Sequence, residues 1–192
     1  MKLITGLGNP GDRYEFTRHN VGFLFVDELR EKFIYEKGFE VSDWRVQDTF
    51  KSEICFLKRG STIIAILQKP LTFMNNSGEA VSKVIDKFDI KDIESDFLLV
   101  HDDLDIPLGK FKIQKGKSPI GHNGIKSVEE HLKDKDFRRI RIGVENRNGR
   151  NIPGEDYVLT KFSKEEQTLL NEVIENSIQG ILADIIYHPG VV

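Results

Sequence analysis

At 192 residues, with 39% hydrophobic and 31% charged side chains, the chain has the composition of a soluble globular domain large enough to bury one core, and no apolar run approaches the ~20 residues of a membrane span. The lone Cys55 has no partner for an internal disulfide, and Met1-Lys2 leads straight into a strand-like segment with no room for a secretory leader, so a single domain over residues 1–192 in the cytoplasm is expected. The net charge of −3 argues against a nucleic-acid partner, but residues 110–150 hold 12 Lys+Arg against 5 Asp+Glu, a basic segment between two acidic ones.

Residues 2–6 read as a first strand. It runs into Gly6, Gly8 and Gly11, a Gly-x-Gly-x-x-Gly series. A dinucleotide site needs a helix opening inside that series and an acidic residue about 20 positions on, at the end of the next strand. Here Pro10 and DRYEFTRH separate the glycines from the next helix, and Asp27 and Glu28 fall inside that helix, so the run reads as a tight βα turn. Residues 20–33 place Val21, Leu24, Phe25, Leu29 and Phe33 at helical spacing, with Asn20 as the expected N-cap. Cys55 to Leu57 and Ile63 to Leu67 flank Arg59-Gly60 as a hairpin ended by Pro70. A second helix is expected over residues 77–88, a buried strand over 97–100, another strand over 109–114, a helix over 122–132 and a strand over 138–144. Ser163 and Glu166 have the spacing of a capping box that opens a long C-terminal helix, its apolar positions running from Leu170 to Ile185. The pattern predicts an α/β fold: a twisted, mixed, largely parallel sheet with helices on both faces.

Three polar clusters fall at the carboxyl ends of predicted strands, where open α/β sheets hold their ligands. The first is Asn9, Tyr14, Arg18, His19 and Asn20; a helix start beside His19 would lower its pKa and favour the neutral imidazole of a general base. The second is Asn75 and Asn76, which suit either N-capping or ligand binding. In the third, His101, Asp102, Asp103 and Asp105 follow an apolar run. They could hold a divalent metal, though without HExxH or calcium-loop spacing, or supply a carboxylate that orients a histidine.

The strings GLGNPGDRYEFTRHNVGF, KPLTFMNNSGEAV, HDDLDIPLGKFK and GHNGIKS, in this order, resemble those of bacterial-type peptidyl-tRNA hydrolases over the chain to about Gly143. The resemblance implies a cytosolic monomer that, without cofactor or metal and without a membrane, cuts the ester joining a peptide to the 3′ end of tRNA, recycling tRNA from aborted translation. By motif, His19 is the catalytic base and Asp102 its partner. Asn9, Asn75 and Asn123 correspond to substrate-binding amides, and which of them stabilises the oxyanion stays open, with Asn9 counted among the catalytic residues. Tyr14 and Phe73 correspond to contacts at the substrate's tRNA end, and Lys112 and Arg141 to a clamp on the tRNA 5′ phosphate, placing the acceptor arm against the basic segment; Lys110 or Arg139 could substitute. Two departures stand out: Pro119 and Ile120 in KGKSPI replace small residues, and residues 144–157 lack the usual Gly-Pro continuation. The competing expectation is a non-catalytic RNA-binding protein on the same fold.

Overall fold

The computed structural model describes residues 1–116 and 121–187; Lys117, Pro119 and Ile120 of the departing loop lie outside them. Along the chain run β1 (Lys2–Gly6), α1 (Val21–Ile34), β2 (Glu40–Val41), β3 (Arg45–Gln47), β4 (Ser52–Arg59), β5 (Thr62–Pro70), α2 (Ser77–Lys87), α3 (Ile93–Asp96), β6 (Phe97–Pro107), β7 (Phe111–Lys115), α4 (Asn123–Leu132), β8 (Arg138–Glu145), α5 (Gly154–Val158) and α6 (Lys164–Tyr187). The strands form one sheet in the order β2-β4-β5-β1-β6-β8-β7, with β3 also on β4. Its centre, β5-β1-β6-β8, is parallel, while the flanking β4 and β7 pair antiparallel to their neighbours. The expected mixed α/β sheet is thus present.

Alternation along the strands feeds two cores, one on each face. On one, Ile4, Val100, Ile140 and Ile142 pack with Phe25, Leu29 and Phe33 of α1 and Val173, Ile174 and Ile178 of α6. On the other, Leu3, Ile66 and Leu99 meet Val81 and Val84 of α2 and Ile125 and Val128 of α4. Full burial of such a side chain stabilises by roughly 1.5–3 kcal/mol. The capping box forms as spelled: Glu166 N donates to Ser163 Oγ at 3.2 Å and Ser163 N to Glu166 Oε2 at 2.8 Å.

The glycine series seats α1 on the sheet. A Cβ at Gly6 would collide with the Gly22 carbonyl, and one at Gly22 with the backbone of Leu7 and Val100. Glycine at both places lets the start of α1 touch the ends of β1 and β6, which brings the preceding 3₁₀ turn, Arg18–Asn20, to the sheet's carboxyl edge.

Two expectations need correction. Asn20 stands at the cap position, but its side chain makes no cap bond; it accepts from Asn9 N at 2.8 Å and donates to Asn9 O at 2.9 Å, holding the glycine loop instead. The strand expected at 97–100 extends to Pro107. Pairing with β1 stops at Val100, whereas His101, Asp102 and Asp103 still pair with Arg141, Ile142 and Gly143 of β8. One neighbour sustains the overhang.

Candidate active site

That overhang forms the floor of a cleft of about 500 Å³. Three connections leaving the parallel strands build the walls: residues 9–19 after β1, 73–75 after β5 and 154–159 after β8, with Gly121, His122 and Asn123 at the start of α4 completing them, while Asp102 to Leu104 of the overhang line the floor. Asn9, Tyr14, His19, Phe73, Asn75, Asp102 and Asn123, all expected as site residues, line this cleft together.

His19 Nδ1 lies 2.8 Å from Asp102 Oδ1. The carboxylate is only an acceptor, so Nδ1 carries the proton and donates, leaving Nε2 as the unprotonated atom. Burial disfavours a charged His19, but the charge and hydrogen bond of Asp102 outweigh it and raise the imidazole's pKa. The expectation that a helix start would lower it is therefore corrected: the 2.8 Å carboxylate acts more strongly than the short 3₁₀ turn ahead of α1. For Asp102, burial favours the neutral acid, yet the two imidazoles beside it hold its pKa far below the usual carboxylate range. It is a fixed negative charge.

The second imidazole belongs to His122, whose Nε2 is 3.1 Å from the same oxygen and whose ring centre is 5.0 Å from that of His19. Its tautomer follows from the other nitrogen: Ile125 N donates to His122 Nδ1 at 3.3 Å, so the proton sits on Nε2 and points at Asp102. Behind them His101, fully buried, donates from Nδ1 to Asp102 O at 2.7 Å. Burial first, then the neighbouring His122, push its pKa well below the ordinary value and keep it neutral. His122 was missed by sequence reasoning although it stands in GHNG; the signal was a second imidazole next to a motif asparagine, with nothing local to say that it would share Asp102.

One ring nitrogen each of His19 and His122 and an Asp102 oxygen lie within 4.8 Å of one another and are, among the described residues, the His/Cys/Asp/Glu group able to hold a metal ion. Two N–H donors already fill the space between these atoms. Metal binding at His122 Nε2 would move its proton to Nδ1, against the Ile125 N–H that now donates there.

Asn9 is 7% exposed and its Oδ1 accepts from Met74 N at 2.8 Å, which fixes the amide's orientation and turns its Nδ2 away from that bond. Asn75, Asn76 and Asn123 are exposed, and Asn76 stands at the N-cap position of α2 without a side-chain cap bond. Phe73, 51% exposed, has φ +57° and ψ 160°, a region nearly reserved for glycine that costs on the order of 1–3 kcal/mol. The strain holds an aromatic ring at the mouth of the cleft, edge-on to Tyr14 with centres 6.3 Å apart.

Lys112 and Arg141 lie outside the cleft lining. They are directly opposed in the β7-β8 ladder, so their side chains leave the same face. Lys112 is exposed. Arg141 is 4% exposed, its Nε bound to the fully buried Asp103 carboxylate and its Nη1 3.2 Å from Gln114 Oε1. Its guanidinium faces Asp103 rather than solvent, because that carboxylate needs a counter-charge. Residues 144–157, whose contacts the departure left open, put Gly154 and Glu155 into the cleft wall. Among the described residues no helix is long and apolar enough to cross a membrane.

Comparison with known proteins identifies the family to which the chain belongs. The profile of the family described as Peptidyl-tRNA hydrolase matches residues 3–188. The peptidyl-tRNA hydrolase of Thermodesulfovibrio yellowstonii is 39% identical, over 100% of this chain and 95% of that protein. That of Listeria innocua is 44% identical, over 94% and 91%. The crystal structure of peptidyl-tRNA hydrolase from Acinetobacter baumannii superposes with a TM-score of 0.79 at 29% identity, covering 98% of this chain and 94% of that one. The chain belongs to the peptidyl-tRNA hydrolase family, enzymes that cut the ester bond of peptidyl-tRNA.

Proposed function

We propose that the cleft hydrolyses the ester between a peptide and the 3′-terminal ribose of tRNA, with His19 as general base and Asp102 as its orienting carboxylate. The observation that carries the reading is the 2.8 Å contact between His19 Nδ1 and Asp102 Oδ1, which leaves Nε2 as the unprotonated nitrogen of a side chain that lines the cleft. In the first step Nε2 takes a proton from water as its oxygen attacks the ester carbonyl, and Asp102 stabilises the imidazolium that forms. The developing oxyanion takes a hydrogen bond from Asn9 Nδ2. This amide is the best placed of the three, because Met74 N already holds its oxygen and so preorganises the nitrogen. Collapse of the tetrahedral intermediate breaks the bond to the ribose oxygen, which takes the proton back from His19. The products are a peptide acid and a tRNA with a free terminal hydroxyl, ready for recycling. Every proton goes through His19, and the step needs no metal.

Exposed Asn75 and Asn123 bind the peptide backbone and terminal ribose, while Tyr14 and the strained Phe73 offer ring faces to the unpaired 3′ end. Lys112 meets an acceptor-arm phosphate, and Arg141 lies behind it as part of the buried pair with Asp103. The protein works as a cytoplasmic monomer of one domain.

The test is release of free tRNA from N-acetylated aminoacyl-tRNA by wild type and His19→Ala, with EDTA present and unblocked aminoacyl-tRNA as control. Cleavage of the blocked substrate alone, lost in the variant, is expected. Binding of tRNA without cleavage by wild type would replace this reading with that of a non-catalytic RNA-binding protein.

A further inference from the structure

Arg18 precedes the proposed base but turns away from the cleft and is 3% exposed. Its Nη2 lies 2.6 Å from both carboxylate oxygens of Glu166, and its Nη1 lies 2.8 Å from Thr160 Oγ1, 2.9 Å from Lys161 O and 3.3 Å from Thr160 O. The guanidinium also stacks 4.3 Å above the Tyr157 ring and 4.8 Å above that of Phe162. Backbone bonds follow the same line: Arg18 N donates to Thr160 O at 3.1 Å and Phe162 N to Phe16 O at 3.2 Å. Glu166 is held in turn by Asn146 Nδ2 at 2.9 Å and by the capping box.

These contacts join two sides of the cleft. One is the 3₁₀ turn that carries His19; the other is the stretch after β8 whose Gly154, Glu155, Val158 and Leu159 form the facing wall. Asp102 stands on a paired strand, so its position is set by the sheet. His19 sits on a 3₁₀ turn outside the sheet, so the 2.8 Å contact depends on what holds that turn in place. Lysine could not serve in the same way, since it offers a point charge with neither a planar donor array nor a stacking face.

We propose that Arg18 is a positioning residue for hydrolysis: by binding Glu166, Thr160 and Lys161 it fixes the His19 turn and the facing cleft wall as one rigid unit. Arg18 touches no substrate, and its role rests on the general-base reading of His19. Misplacement of a reacting group by about 1 Å costs on the order of 10²-fold in rate, so loss of the clamp appears in kcat more than in KM.

The experiment is steady-state hydrolysis of N-acetylated aminoacyl-tRNA by wild type, Arg18→Lys, Glu166→Gln, the double variant and His19→Ala. Phe33→Leu, in the core at the far end of α1, serves as a control for lost stability, with all assays below every melting midpoint. Arg18→Lys is expected to lower kcat by about 10- to 100-fold with KM within about 3-fold of wild type. The double variant should lose little more than the worse single one, since both break one contact set, and Phe33→Leu should keep the wild-type kcat. If Arg18→Lys lowers the melting temperature as Phe33→Leu does but keeps kcat within about 2-fold, or if the loss lies in KM alone, positioning by Arg18 is overturned. Should Arg18→Lys fail to fold, Glu166→Gln, which keeps the shape and removes the charge, decides by the same criterion. An active His19→Ala overturns the base reading itself; an inactive His19→Ala beside an unimpaired Arg18→Lys removes only the clamp.

Discussion

Replacing Asp102 by Asn tests the proposed dyad most sharply, because the structure sets how large the effect should be. In a catalytic triad such a change costs about 10⁴-fold, chiefly because the amide NH₂ turns toward the imidazole and forces the wrong tautomer. Here two N–H groups converge on one oxygen, His19 Nδ1 at 2.8 Å and His122 Nε2 at 3.1 Å, and the His122 proton is fixed on Nε2 by the Ile125 amide. An asparagine turning its NH₂ inward would oppose both donors, so its oxygen stays in place and His19 keeps its tautomer. What is lost is charge. A hydrogen bond to a charged group contributes about 1.5–3 kcal/mol and a neutral one about 0.5–1.5, a difference of about 1–2 kcal/mol. Loss of support for the imidazolium adds to this, for a total fall in kcat of about 10- to 100-fold. The pH profile has a definite sign. Wild-type His19 has a raised pKa because Asp102 outweighs burial, so activity is lost as pH falls through that raised value. With the carboxylate neutralised, burial acts alone and the acid limb of kcat/KM moves to lower pH. The assay is initial-rate hydrolysis of N-acetylated aminoacyl-tRNA across pH for wild type, Asp102→Asn and Asp102→Asn/His122→Ala. The double variant frees the amide to turn and should fall further, toward the triad figure. A single variant already down about 10⁴-fold, or an acid limb that stays or moves upward, refutes the shared-oxygen argument.

His19→Ala should bind tRNA as wild type does while losing nearly all turnover; filter binding beside the hydrolysis assay checks this, and parallel loss of both would make residue 19 structural. Lys112→Ala should weaken tRNA binding and reduce the slope of log K against log salt by about one. An unchanged slope in a salt titration removes Lys112 from the phosphate contact. Gly22→Ala should destabilise by at least about 3 kcal/mol, the upper end of the overpacking range, since the added methyl meets the backbone of Leu7 and Val100 rather than a yielding side chain. Urea unfolding within about 1 kcal/mol of wild type would show that α1 does not depend on this close seat.

Much of the fold was written locally. The apolar spacing of α1, the hairpin around Arg59-Gly60 and the Ser163–Glu166 box depend on neighbours within a few residues, and each forms where the sequence places it. Short edge strands β2 and β3 and the helix α5 escaped, because two to five residues carry no period and their pairing partners are remote. The site was legible as residue types but not as bonds. Asn20 has the identity of a cap, yet the backbone of Asn9 captures its side chain. Arg141 has the identity of a phosphate ligand, yet Asp103, two residues beyond its direct ladder partner on β6, takes its guanidinium. Both outcomes hinge on contacts between segments far apart in sequence, which a local reading does not contain.

The end of β6 shows the same limit and explains why a site exists here. His101 to Pro107 is too polar to read as core, and a local reading ends the strand at Val100. The sheet extends it because β8 is longer than β1 on that side and continues to offer its backbone. The extension lets Asp102 be 2% exposed and still reach past β1, where residues that open α1 and α4 approach from opposite faces. A carboxylate at the tip of a loop would be solvated and free to move; on a paired strand it is dry, ionised and fixed. Shortening the overhang to β1's length would remove the charge between His19 and His122, along with Leu104, which packs against one core, so the proposed catalytic arrangement follows from the unequal lengths of two adjacent parallel strands.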